Sequence, residues 1–216
     1  MRVNFELTGL TSLLMHADDV AQADELKAWR SAPENKGSSV AGDDRSPAWT
    51  WQTYLYHDGA NVCVPTENIM VALRQAGAQV ILKKQKTFKE ITQSGIVPES
   101  EFADLTIGVD AESLPIADVL AVRDETFAKQ MEFAAARGFR LFVKRATVTR
   151  NKHVRVRARF DNWKLRGTLL VTADLITIER LKQLFDLAGN VGIGDWRPGC
   201  KTPGPYGRFT AKITKS

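Results

Sequence analysis

The chain is poor in the residues that staple or metallate small domains. It has 2 cysteines, Cys63 and Cys200, and 3 histidines, His16, His57 and His153. The cysteines stand far apart, and no CxxC or Cys/His cluster surrounds them. That excludes a disulfide framework and a zinc finger, and makes a reducing cytoplasm the expected compartment. Nowhere does an apolar run approach the roughly 20 residues of a membrane helix. The opening Met1-Arg2-Val3-Asn4-Phe5-Glu6-Leu7 alternates polar and apolar side chains instead of forming the apolar core of a secretion signal. No membrane partner is expected. Acidic residues are scarce in one long stretch: between Arg140 and Arg166, Asp161 is the sole carboxylate among Arg140, Lys144, Arg145, Arg150, Lys152, Arg155, Arg157, Arg159, Lys164 and Arg166.

What is present fits an ordinary globular protein: 216 residues, 44% hydrophobic and 25% charged, with a net charge of +5. Clustered in one stretch, that positive charge favours a polyanionic partner. Val3, Phe5 and Leu7 alternate with Asn4, Glu6 and Thr8, the period-2 signature of a half-buried strand. Residues 16–46 lose periodicity apart from a short helical candidate near 21–30. Residues 49–56 are aromatic and β-prone, and with Val62-Cys63-Val64 predict a hairpin. Thr66 stands as N-cap to an amphipathic helix with Ile69, Ala72, Leu73 and Ala76 on one face. Residues 94–138 read as an insertion with a strand at 119–122 and a helix near 126–137. Two long strands follow at 139–149 and 154–171. Thr177 caps a helix that Gly189 ends, and 206–213 closes the chain.

This order is βαββαβ: an α+β, ferredoxin-like or RRM-like core, with an antiparallel sheet and helices on one face. The expected organisation is one RRM-like domain over 1–216 with insertions at about 15–60 and 83–138.

Two features point to an anionic ligand. In Arg155-Val156-Arg157-Ala158-Arg159-Phe160 the strict alternation puts Arg155, Arg157 and Arg159 on one sheet face. Such a ladder of like charges calls for an anionic partner or interleaved acids. The second feature is the run from Gly189 to Phe209, whose Gly192 and Gly194 offer backbone N–H groups to a phosphate while Arg197, Lys201 and Arg208 supply charge. Lys83, Lys84 and Lys86 add a separate basic stretch, and Trp196, Tyr206 or Phe88 offer rings for base stacking.

The order of motifs resembles the RAMP superfamily, the repeat-associated proteins of CRISPR effector complexes. Leu7-Thr8-Gly9-Leu10-Thr11-Ser12-Leu13-Leu14 is similar to the family's first strand and small-residue turn. Val62-Cys63-Val64-Pro65-Thr66-Glu67-Asn68-Ile69 is similar to its strand-Pro-Gly-Ser-Ser element, with Thr66-Glu67-Asn68 in place of Gly-Ser-Ser. Gly192 to Phe209 resembles its final glycine-rich loop. The resemblance implies a non-catalytic backbone-type subunit that holds single-stranded RNA by its phosphates, as a homo-oligomer along the strand or within a multi-subunit complex, without a cofactor. It also opens an enzymatic alternative. Asp43 and Asp44, with Asp18-Asp19 as a second acidic pair, occupy the interval where RNA-cutting relatives place an aspartate, and a divalent metal would then be needed; His16 is the metal-independent candidate for general base. Single-stranded DNA binding, or a virus-encoded interaction protein on the same scaffold, is a third possibility.

Overall fold

The computed structural model describes residues 1–18, 20–38, 40, 42–84, 86–148 and 151–216, the side chains of 148 and 151 excepted. Asp19, Thr149 and Arg150 lie outside them. The elements run β1 (Arg2–Gly9), β2 (Leu13–Leu14), α1 (Val20–Ser31), β3 (Cys63–Pro65), α2 (Thr66–Gly77), β4 (Ile81–Lys83), β5 (Lys86–Thr87), α3 (Lys89–Gly95), β6 (Ile96–Pro98) and β7 (Phe102–Ile107). The second half adds α4 (Ile116–Ala121), α5 (Phe127–Ala136), β8 (Arg140–Val148), β9 (Asn151–Phe160), β10 (Trp163–Val171), α6 (Ile178–Val191) and β11 (Phe209–Lys215).

β1 forms where the alternation is strictest, and Val3, Phe5 and Leu7 are buried beneath the helices while Asn4 and Thr8 face out. It lies between β10 and β11, antiparallel to both. The full order is β11-β1-β10-β7-β3, with β6 pairing the far end of β10. Counting core strands along the chain, this is fourth, first, third, second, the ferredoxin-like arrangement that the motif order predicts. α2 and α6 pack together over the buried face. On α6, Leu181, Leu184, Phe185 and Ala188 form the buried stripe, and the Thr177 hydroxyl accepts from the Arg180 amide as cap.

Several expectations are corrected. The second core strand is β7, not residues 139–149; its alternation Ala103, Leu105, Ile107 is buried on one side only. The stretch 83–138 therefore contains the core strand β7, and the residues between β7 and β10, 108–162, carry β8 and β9. The predicted strand over 154–171 breaks at Asp161-Asn162, so β9 joins β8 and β2 in a second sheet while β10 enters the first. Residues 48–54 wind into a 3-10 helix in which five successive residues, Trp49 to Thr53, are buried, a pattern without the alternation of a half-buried strand. Residues 116–121 are helical as well. Thr66 is the first residue of α2; its hydroxyl donates to the Ser100 and Glu101 carbonyls and does not cap the helix. Gly189 lies inside α6, where a Cβ would meet the Phe209 carbonyl at 2.2 Å; it lets helix and strand touch, and Gly192 is the true stop.

The second sheet shares the core. Val156, Ala158 and Phe160 of β9 are buried with Leu141, Phe139 and Trp51. The Trp51 indole donates to Gln130 Oε1 at 2.6 Å, which ties the 3-10 segment to α5. The opposite face of this sheet is left to solvent and to the glycine-rich segment.

Candidate nucleic-acid interface

The outer face of β8–β9 collects cations, Arg155, Arg157 and Arg159 at alternate positions of β9 and Arg140 and Lys144 on either side of Phe142 on β8. Arg140 lies directly across from Arg159, Phe142 from Arg157, and Lys144 from Arg155. Like charges directly opposite destabilise a sheet. Two carboxylates from outside the hairpin offset this. Asp44 is 1% exposed and accepts from Arg155 Nη1 at 3.2 Å, Arg157 Nη1 at 3.1 Å and the Val156 amide at 3.1 Å. At the other end Asp161 accepts from Arg159 Nε and Arg140 Nε, both at 2.8 Å, and from Ser12 Oγ at 2.7 Å. Burial alone would raise the Asp161 pKa, but the hydrogen bonds from Ser12, Arg159 and Arg140 turn the balance and hold it below the usual aspartate value.

Arg157 is the most enclosed member of the ladder, 7% exposed. Its guanidinium lies 3.8 Å over the Tyr54 ring, and its Nε is 3.5 Å from Asp195. Arg155 and Arg159 are half-buried. Lys144, Arg145 and Lys201 have no carboxylate partner among the described residues. Lys144 Nζ sits 3.0 Å over the Trp196 ring, and Tyr206 touches both Trp196 and Phe142. These groups surround a cleft of about 630 Å³ between the hairpin and the glycine-rich segment, floored by Leu14, Phe142 and Ala146 and edged by Lys144, Arg145, Arg155, Arg157, Trp196 and Lys201. Trp196 has φ 53, a left-handed backbone that a tryptophan adopts only when its surroundings hold it there.

Of the residues singled out in the sequence, the structure brings Arg155, Arg157, Trp196 and Lys201 to one cleft, with Arg159 beside it. It does not bring the others. Arg208 donates to Asn190 Oδ1, and Arg197 folds back on the Gly194 carbonyl. Lys83, Lys84 and Lys86 sit on the β4–β5 hairpin beyond α2 and do not line the cleft. The glycines serve packing. The Gly192 amide donates to Ala188, a Cβ on Gly194 would meet the Leu14 carbonyl at 2.4 Å, and the amides of Ile193, Asp195 and Gly207 bond to Gly207, Leu14 and Ser12. The predicted bare N–H cradle is in fact stitched to the β1–β2 turn, and this is what fixes Trp196 and Lys201 over β8. Phe88 is core, 3% exposed under Arg180.

Two of the acidic candidates, Asp43 and Asp44, are accounted for by neighbouring cations. Asp43 is gripped by its neighbour Arg45 through Nε at 2.9 Å and Nη2 at 2.6 Å, which lowers its pKa. Asp44 holds the ladder from below. His16 packs edge-on to Tyr54 with Nδ1 3.8 Å from Asp195, and burial, then Arg157, hold its pKa below the usual histidine value against the pull of Asp195. His57 and His153 are elsewhere, accepting from the Gly59 amide and lying against Gly42 respectively. Among the described residues no group of three His, Cys, Asp or Glu side chains converges to hold a metal. Phe142, Lys144 and Arg145 complete the cleft; Lys144 and Arg145 were marked only by their place in the basic run, and the alternation Arg140-Leu141-Phe142-Val143-Lys144 was the available signal for Phe142.

No protein-family profile matches the chain, and no curated protein matches it. Among solved structures it is similar to Cmr6 from Pyrococcus furiosus, at 9% identity and a TM-score of 0.39, over 98% of each chain. No helix among the described residues is long and apolar enough to cross a membrane.

Proposed function

We propose that the cleft between β8–β9 and the glycine-rich segment holds a single-stranded RNA by its phosphates, with no chemistry performed on it. The observation that carries this reading is the buried carboxylate Asp44. It satisfies the inner N–H groups of Arg155 and Arg157, so the ladder survives folding while Arg155, Lys144, Arg145 and Lys201 keep positive charge at the cleft edge. A surface ion-pair network would have spent that charge within its own sheet. The motif resemblance points to the same ligand class, and the aromatic group Phe142, Trp196 and Tyr206 supplies ring surface that accepts any base. The catalytic alternative has less support, because both Asp43 and Asp44 already serve guanidinium groups, and a dication would have to displace them. Assembly along the strand or within a multi-subunit complex remains part of the proposal.

Fluorescence anisotropy with a labelled single-stranded RNA of mixed sequence tests it. Wild-type binding weakens with salt at a log–log slope of about −0.7 per phosphate contacted. The triple variant Lys144→Ala/Arg145→Ala/Lys201→Ala should bind roughly a hundredfold more weakly, with a shallower slope, at about 1 kcal/mol per lost contact. Unchanged affinity in that variant would discard the cleft. A matched DNA strand bound equally well would replace RNA by single-stranded nucleic acid at large.

A further inference from the structure

A second surface, independent of the cleft, is assigned no role by the reading above. The β4–β5 hairpin projects from the junction of α2 and α3. It exposes Ile81 (70%) and Leu82 (37%) together with Lys83, Lys84 and Lys86. None of these lysines has an acidic partner among the described residues. Two neighbouring aliphatic side chains turned to water beside three cations is an unusual element for a soluble surface, since exposed apolar groups placed together mark contact sites. An isolated two-stranded hairpin is also marginal by itself.

At the opposite end of α2 lies its chemical complement. A groove of about 460 Å³ runs between the start of α2 and the β6–β7 turn, floored by Pro65, Met70 and Pro98 and rimmed by Glu67, Glu99 and Glu101. Val97 beside it is 45% exposed. Glu99 is paired with Arg2, but Glu67 and Glu101 have no cationic partner among the described residues. The negative field reaches inward: burial, reinforced by Asp58, Asp104 and Glu101, pushes the Cys63 thiol up to about 12.

We infer that the β4–β5 hairpin of one copy docks in the Pro65–Met70–Pro98 groove of a second copy of this chain. Ile81 and Leu82, at the base of the hairpin, meet the apolar floor, and Lys83, Lys84 and Lys86, toward its turn, meet Glu67 and Glu101. The two surfaces sit at the two ends of the 12-residue α2, about 18 Å apart along its axis. One chain cannot satisfy both by folding back, and the contact is heterologous. Such contacts repeat head-to-tail into open chains unless the rotation closes a ring. The exposed aliphatics favour a protein partner over a phosphate backbone, which would use the lysines and leave Ile81 wet.

The test is sedimentation velocity on nucleic-acid-free protein from micromolar to near-millimolar concentration. A ladder of dimer, trimer and larger species that grows with concentration is expected. Ile81→Asp and Glu67→Lys/Glu101→Lys should each be monomeric alone. Their equimolar mixture should form a dimer and nothing larger, because one intact groove meets one intact hairpin. All these positions are exposed, and unchanged circular dichroism confirms that the variants fold. A wild type monomeric throughout, or oligomers indifferent to both variants, overturns the inference. So does a Lys83→Ala/Lys84→Ala/Lys86→Ala variant that assembles normally yet loses RNA affinity, which would assign the hairpin to nucleic acid. None of these results depends on the cleft, so failure here leaves the cleft reading standing.

Discussion

Two sheet faces of this molecule carry alternating cations and have different surroundings. On the open face of the first sheet, Arg166 of β10 sits directly across from Glu6 of β1 and donates to it from Nε at 2.7 Å. Asp104, Asp58 and Glu101 surround the same surface, with Phe102 at its edge. On β9 the cross-strand neighbours of Arg155 and Arg159 are other cations, Lys144 and Arg140, that of Arg157 is Phe142, and the balancing carboxylates come from loops, one of them entirely buried. On the first face Arg166 and Arg2 are paired in water by Glu6 and Glu99. The second moves its counter-charge behind the strand and leaves positive potential in front. Where the acids sit therefore separates a face that is neutral toward water from one that keeps positive potential, and the number of arginines does not.

The comparison is sharpest in stability. Asp44→Ala leaves two guanidiniums and the Val156 amide without their buried acceptor, and should cost about 3 kcal/mol or more in urea unfolding. Glu6→Gln breaks an exposed pair and should cost no more than about 0.5 kcal/mol. Equal costs would mean that the two faces are built alike.

Ligand binding gives the next largest difference. Arg155→Ala should lower affinity for single-stranded RNA by about tenfold, the worth of one charge-assisted contact. Arg166→Ala should leave affinity within a factor of about two, since its charge is already matched by Glu6. Both are read by the same anisotropy titration. Trp196→Ala should weaken binding by about 1 kcal/mol or more through lost stacking, and flatten any difference between purine and pyrimidine strands.

The smallest effect concerns pH. The folded-state pKa of Asp161 lies below its unfolded value, so the carboxylate adds stability above the unfolded pKa, near 3.8. That contribution fades as pH falls through the folded value. Asp161→Asn should therefore reduce the loss of stability on the acid side of about pH 4, and leave the slope near neutrality unchanged. A variant with the wild-type acid slope would show that Asp161 does not anchor the hairpin end.

Much of the fold was legible because its core strands and helices obey simple periods. β1 and α6 are strongly patterned, and the alternation of β9 put its arginines on one face correctly. What misled was length. β7 is six residues between Pro98 and Gly108, with Ala103 a weak apolar signal, whereas β8 and β9 are long and read as core; sequence cannot say which strands pair. Residues 49–56 look β-prone because tryptophan and tyrosine favour strands, yet Trp49 to Thr53 are buried together in a 3-10 helix. The cleft was half-visible. Arg155, Arg157, Trp196 and Lys201 stood out by type and spacing, but the roles of Gly194 and Asp44 depend on which backbone and which guanidinium they meet, and those partners lie far away in sequence.

The most direct measurement is photocross-linking of a single-stranded RNA carrying 4-thiouridine, followed by mass spectrometry of the joined peptides. The account predicts cross-links in the peptides holding Phe142, Trp196 and Tyr206, lost on competition with unlabelled strand. Cross-links concentrated at Phe102 and along β1 and β10 would place the strand on the first sheet and contradict it.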